Sequence, residues 1–166
     1  MKRTLALAVA CALVLEGCGE SDAPGEARKK TVLEYASMKD IRNINPHLYL
    51  GEMAAQAMVF EPLVFNTPEG VKPALAERWE ISGDGRTYTF HLRSDVTWHD
   101  GERFTANDVK FTIEAIMNPD NGSENAPNFE DVEEITVKDD DTVSFRLSAP
   151  NVAFLDYMTM AILPQH

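Results

Sequence analysis

The sequence predicts an α+β fold, with antiparallel hairpins through the middle of the chain and three short helices packed on them. Three observations predict it. Apolar residues alternate at period two in two pairs of segments: Trp79 and Ile81 with Tyr88, Phe90 and Leu92, then 132–138 with Val143, Phe145 and Leu147. Each pair is joined by a short turn rich in Gly or Asp. Helical spacing occurs only in brief runs, at 51–60, 105–117 and 150–158.

Residues 1–17 read as a targeting segment. Lys2 and Arg3 precede an apolar run at 4–15. As a helix that run reaches only about 18 Å, against roughly 30 Å of bilayer hydrocarbon, so it is a signal core and not a stable membrane span. Leu15-Glu16-Gly17-Cys18 resembles a lipobox, although Glu16 departs from the usual small or apolar residue. In that reading Cys18 is the lipid attachment point, because its thiol can form a thioether. An ordinary secretory signal is the alternative. Residues 18–30 are polar and without periodicity, as in a flexible tether.

The folded part is expected over 31–166. Val32, Leu33 and Tyr35 give a strand at 31–36, and Asn45-Pro46 initiates a turn. The helix at 51–60 puts Met53, Ala57 and Phe60 on one face, extended by Ala54 and Met58. Strand character runs from Leu63 to Asn66, and 68–73 is a loop or hairpin tip. Ser82-Gly83-Asp84-Gly85 and Asp100-Gly101 supply turns that accept positive φ. Thr105 and Asp108 form a capping-box pattern. Val109, Ile113, Ile116 and Met117 follow at helical spacing, widened by Phe111 and Ala115, and Pro119 ends the run. Residues 120–128 read as a loop and Asp139-Asp140-Asp141 as a hairpin turn. Pro150 opens the last helix, with Val152, Phe154, Leu155 and Met158.

The bulk numbers narrow the function. The chain has 166 residues, 44% of them hydrophobic, and a formal charge of −12. That balance opposes binding to nucleic acid or to anionic lipid by charge. Both cysteines, Cys11 and Cys18, precede the folded part, which therefore has no disulfide framework or thiolate metal site. No histidine pairs with another at i, i+3 or i+4, and no calcium loop, nucleophile elbow or phosphate loop is present. Glu133 and Glu134 are adjacent on a strand and so are expected on opposite faces. His91 reads as solvated and His99, in a turned loop next to Asp100, as making a structural hydrogen bond. Trp79, Trp98, Phe90 and Phe111 read as core, as do the methionines at 53, 58, 117, 158 and 160. An enzyme, such as a hydrolase, finds no residues to stand on, and no cofactor or metal is implied.

Between 73 and 111 the ordered string P-x-LAE-x-W, S-x-DG-x-TYTF-x-LR and W-HDGE-x-FTA-x-DV-x-F resembles the peptide/nickel class (family 5) of extracytoplasmic solute-binding proteins. Asn45-Pro46-His47-Leu48-Tyr49 resembles it too. The resemblance covers roughly 33–166. It implies the N-terminal part of a periplasmic-binding-protein type II-like fold: the start of a first lobe, plus an accessory subdomain at about 62–150. It also implies that the chain is the truncated first third of a longer protein, whose second lobe, hinge and much of the ligand contact are missing here. By the resemblance the chain is a lipid-anchored, monomeric receptor of the cell envelope, outside the cytoplasmic membrane. It would pass short peptides to ABC permease subunits, with a nickel chelate as the alternative cargo. The loops implied to lie near ligand are Leu48, Tyr49, Leu50 and Gly51, and Ser123, Glu124 and Asn125. Nickel receptors of the family carry an arginine and a tryptophan in the second loop; DNGSENAPN has neither. A stand-alone envelope domain remains the third option.

Overall fold

The computed structural model describes residues 45–47 and 53–166, all within one compact unit, Lys39–His166. In chain order the elements are α1 (Met53–Ala57), β1 (Val64–Thr67), β2 (Gly70–Pro73), β3 (Ala76–Ile81), β4 (Thr87–Leu92), α2 (Ala106–Met117), β5 (Val132–Asp139), β6 (Thr142–Leu147) and α3 (Phe154–Tyr157). Single 3₁₀ turns at Pro119–Asn121 and Ala126–Phe129 break up the predicted 120–128 loop. β1 and β2 form one antiparallel hairpin, and the remaining strands form an antiparallel sheet in the order β3-β4-β6-β5. This is the α+β arrangement that the period-two runs predict. The signal, tether and 31–36 strand expectations, with Cys18, lie outside the described residues.

Register explains which face is buried. Tyr88 lies opposite Phe145, and Phe90 opposite Val143; these four are core. Phe145 packs edge-on against Phe90 at 5.8 Å and tilted against Phe154 at 5.5 Å. On the other face Thr89 and Ser144 are also buried, and their hydroxyls satisfy each other at 3.1 Å. The turn at 82–85 forms as predicted, with Gly85 at φ 68°. The aspartate turn does more than reverse the chain. The Asp141 and Asp140 carbonyls accept the Leu92 and Ala106 amides at 2.8 and 2.7 Å, which ties β4 and the start of α2 to one hairpin tip. Arg103 pairs with both Asp140 and Asp141.

Helix α2 begins in a full capping box. Thr105 accepts from backbone and Asp108 returns the bond. Asp108 is 4% exposed. Its Oδ2 accepts the Thr105 amide at 2.8 Å, the Thr105 hydroxyl at 3.4 Å and the Trp98 indole at 3.3 Å. Its Oδ1 accepts the Gln165 amide at 2.9 Å. One turn on, the buried Thr112 hydroxyl sits against the Leu163 amide at 2.9 Å. Two polar side chains of α2 thus dock the last segment of the chain.

Several expectations are corrected. The buried arc of α2 is Ala106, Asp108, Val109, Thr112, Ile113 and Ile116; Phe111 falls outside it and is exposed, because helical rotation carries it past the Asp108 edge. In α1 it is Gln56 that is buried, while Ala57 and Met58 are exposed; the helix has only five residues, too few to impose a stripe. Ile81 shares the face of Trp79, but it ends an edge strand and is 48% exposed. Val152 is 95% exposed because α3 starts after it, where Asn151 Oδ1 accepts the Ala153 amide at 3.0 Å. Glu133 and Glu134 do not point apart. The register shifts between Val132 and Glu134, so the bulge turns both carboxylates toward Arg146, whose guanidinium bonds each of them. Met158 is core and Met117 and Met160 pack against it, as read from sequence; the side chain of Met53 is not described.

Candidate functional site

An Asx turn starts the site. The His47 amide donates to Asn45 Oδ1 at 2.9 Å, and Pro46 fixes the preceding φ. His47 is 5% exposed. Its Nε2 lies 2.8 Å from the Ala161 carbonyl, and its own carbonyl accepts the Ser123 hydroxyl at 3.1 Å. Three remote stretches of chain therefore meet at one residue. Ser123 Oγ in turn accepts the Asn125 amide at 3.3 Å, which shapes the turn. Gly122, left-handed at φ 58°, delivers the chain into it from the preceding 3₁₀ turn. On the far side, Ala161 bridges Pro62 antiparallel, and the Ile162 amide donates to the Glu61 carbonyl at 3.1 Å.

Between these stretches opens a cleft of about 390 Å³, walled by Phe60, Phe65, Met160 and Ala161, with polar groups from His47, Gln56, Glu61, Asn125 and Thr159. A second cleft, of about 250 Å³, shares Ala57, Phe60 and Glu61 but backs onto Trp98, His99 and Phe104. We take the first as the candidate site because it is larger and adjoins the 123–125 turn. Its lining, apolar rings with a few polar groups, is that of a site for a small organic solute.

The imidazole's state follows from its partner. A carbonyl only accepts, so Nε2 carries the proton and Nδ1 is bare. Nδ1 is buried and has no hydrogen-bond partner. Burial lowers the pKa of the ring below 6.5, partly offset by the Ala161 carbonyl.

Of the residues named from sequence, Ser123 is buried and bonded to His47, Asn125 lines the cleft and Glu124 is exposed. Leu48, Tyr49, Leu50 and Gly51 lie outside the described residues. His99 is exposed and does not make the expected structural hydrogen bond. Asp100 instead meets the His166 ring at 2.7 Å and the Glu102 amide at 3.0 Å. His91 is half-buried against Glu80 at 3.2 Å, not solvated. Phe65, Thr159, Met160 and Ala161 were not read as site residues. No local pattern marks them, since they reach His47 by closing loops of up to 114 residues. Among the described residues no group of three or more His, Cys, Asp or Glu could hold a metal ion, and no helix is long and apolar enough to cross a membrane.

Residues 70–166 match the family described as bacterial extracellular solute-binding proteins, family 5 Middle. The dipeptide-binding protein of Escherichia coli K12 is 36% identical over 151 residues, covering 77% of this chain and 28% of that protein. The nickel-binding periplasmic protein of the same organism is 38% identical over 119 residues, covering 70% and 21%. The crystal structure of NikZ from Campylobacter jejuni, in complex with Ni(L-His), superposes with a TM-score of 0.72 at 41% identity, covering 77% of this chain and 26% of that one. The chain thus spans about a quarter of the length of the curated relatives it matches.

Proposed function

The chain belongs to the family 5 bacterial extracellular solute-binding proteins, and on that premise we propose that it is part of a receptor that captures short peptides for an ABC importer. The periplasmic-binding-protein fold of its structural neighbours accounts for the α+β architecture. The observation that supports the peptide reading best is the cleft at His47. Phe60, Phe65 and Met160 offer apolar walls, and Asn125, Gln56 and Thr159 offer groups suited to a peptide's amides. The 123–125 turn is the ligand-facing loop in this reading. A receptor of this kind binds and releases its solute without turnover, and the chain's permease partners lie in the cytoplasmic membrane.

A nickel chelate is the second reading, favoured by the structural likeness to NikZ. In that case the metal arrives as cargo already held by small-molecule ligands, and the cleft contacts the chelate. Calorimetry with the purified protein, against di- and tripeptides and against nickel–histidine, separates the two. Saturable heat from peptides is expected. Heat from the nickel complex alone would replace the first reading with the second, and silence from both would remove them.

The anchor is a separate proposal. Cys18 carries the lipid, residues 1–17 are removed, and 18–30 tether the domain at 31–166 to the outer side of the cytoplasmic membrane. Radiolabelled palmitate should enter the wild-type protein and not the Cys18→Ser variant. Equal labelling of both would sink it.

A further inference from the structure

We infer that His47 is the positioning residue of the cleft: its ring holds the 159–161 wall, its backbone carbonyl holds the 123–125 wall, and the ring's grip needs an uncharged imidazole. The first grip is the 2.8 Å contact from Nε2 to the Ala161 carbonyl. The second is the 3.1 Å bond from the Ser123 hydroxyl to the His47 carbonyl. Both walls belong to the cleft through Asn125 on one side and Thr159, Met160 and Ala161 on the other. His47 thus touches both walls, one through its ring and the other through its backbone carbonyl.

The charge requirement comes from the other ring nitrogen. Nδ1 is shut off from water and unpartnered. A proton there would strengthen the Ala161 bond, but it would also put a second N–H and a full charge where nothing accepts them. The charged ring gains most by turning out to water, which releases the 159–161 wall. Among the described residues, charged groups on the surrounding elements do not rescue it. Glu61 is exposed beyond α1, Glu124 is exposed on the turn, and Asp156 on α3 accepts from Asn66. Because the folded ring resists protonation below its ordinary 6.5, the grip is complete above that pH and is lost as pH falls through the folded value. That this grip governs solute capture rests on the receptor reading; the grip itself does not.

The test is amide hydrogen exchange on the full chain between pH 5 and 7.5, corrected for intrinsic rates. The reporter is Ile162, next to Ala161, whose amide bonds the Glu61 carbonyl. Its exchange is expected to rise by up to about tenfold per pH unit below 6.5, the limit for one proton. The Leu92 and Ala106 amides, held by the distant aspartate turn, should stay flat. His47→Gln keeps an N–H for Ala161 and cannot titrate, so it should remove the slope while leaving exchange at pH 7.5 near wild type. His47→Ala should raise exchange at every pH. Nitrogen spectra of the wild-type ring at pH 7.5 should place the proton on Nε2. A proton on Nδ1, or an Ile162 amide no steeper than Leu92 and Ala106, would overturn the inference even if the glutamine variant did not fold. Calorimetry with alanyl-alanine and with nickel–histidine runs alongside. The exchange signature without binding would remove the receptor reading and leave the grip; binding without the signature would do the reverse.

Discussion

Asp108→Ala should destabilise the domain by about 3–4 kcal/mol, well above an ordinary capping loss of about 1 kcal/mol. Two of the four bonds to this carboxylate are short: the Thr105 amide at 2.8 Å and the Gln165 amide at 2.9 Å. At about 1.5–2 kcal/mol each for a charged acceptor they make up most of the figure. The Trp98 indole at 3.3 Å and the Thr105 hydroxyl at 3.4 Å are longer and add little. Alanine also strands the Thr105 amide at the start of α2. Asp108→Asn should cost about 2 kcal/mol, since one oxygen remains but the amide group faces a donor. Urea unfolding reads the loss. With a slope of about 2 kcal/mol per molar, the alanine midpoint should fall by about 1.5–2 M at unchanged slope. The reasoning fails if Asp108→Ala costs no more than Thr105→Ala. Asp108 would then act only as a helix cap, and its tie to Gln165 would contribute nothing.

Three further outcomes follow from the same structure. Phe145→Ala empties a fully buried site between Phe90 and Phe154 and should cost about 3–5 kcal/mol by urea midpoint; a loss under 1 kcal/mol would mean that the core collapses around the gap. Gly85→Ala should cost about 1–2 kcal/mol, because Gly85 sits at φ +68° with the new Cβ 3.4 Å from Pro150; thermal unfolding of the variant checks it. Asp100 is held below the usual carboxylate range, first by the Glu102 amide and then by His166. Its contribution is present above that range and lost as pH falls through the folded value. By carboxyl NMR, His166→Ala should raise the Asp100 midpoint only part of the way to 3.8; full recovery would mean that the amide plays no part.

Most of the sheet was legible in the chain. Period-two runs at 87–92 and 142–147, glycine turns at 82–85 and 100–101, and the Thr105–Asp108 box each depend on neighbours within a few residues, so local sequence determines them. The family signature was legible for the same reason, since its fixed residues build these same turns and caps. The errors also have a common source. Phe111 and Val152 were assigned by hydrophobicity, but exposure depends on where a helix starts and which arc meets the sheet. Glu133 and Glu134 were separated by strand alternation, but a single bulge cancels alternation locally.

The cleft was not legible. The sequence by itself determined that His47 follows an Asn-Pro turn and that Ser123 lies in a Gly-Asn-Ser loop. Only the tertiary structure decided that Ser123 meets the His47 carbonyl, and that Ala161 closes on the His47 ring. Those contacts join residues 76 and 114 positions apart. Nothing in the intervening sequence encodes them locally; they form because the sheet, α2 and the 158–163 segment bury their apolar faces together and bring these polar groups within reach of each other. Burial then decides the rest, because an imidazole shut off from water must choose one tautomer and resist a charge.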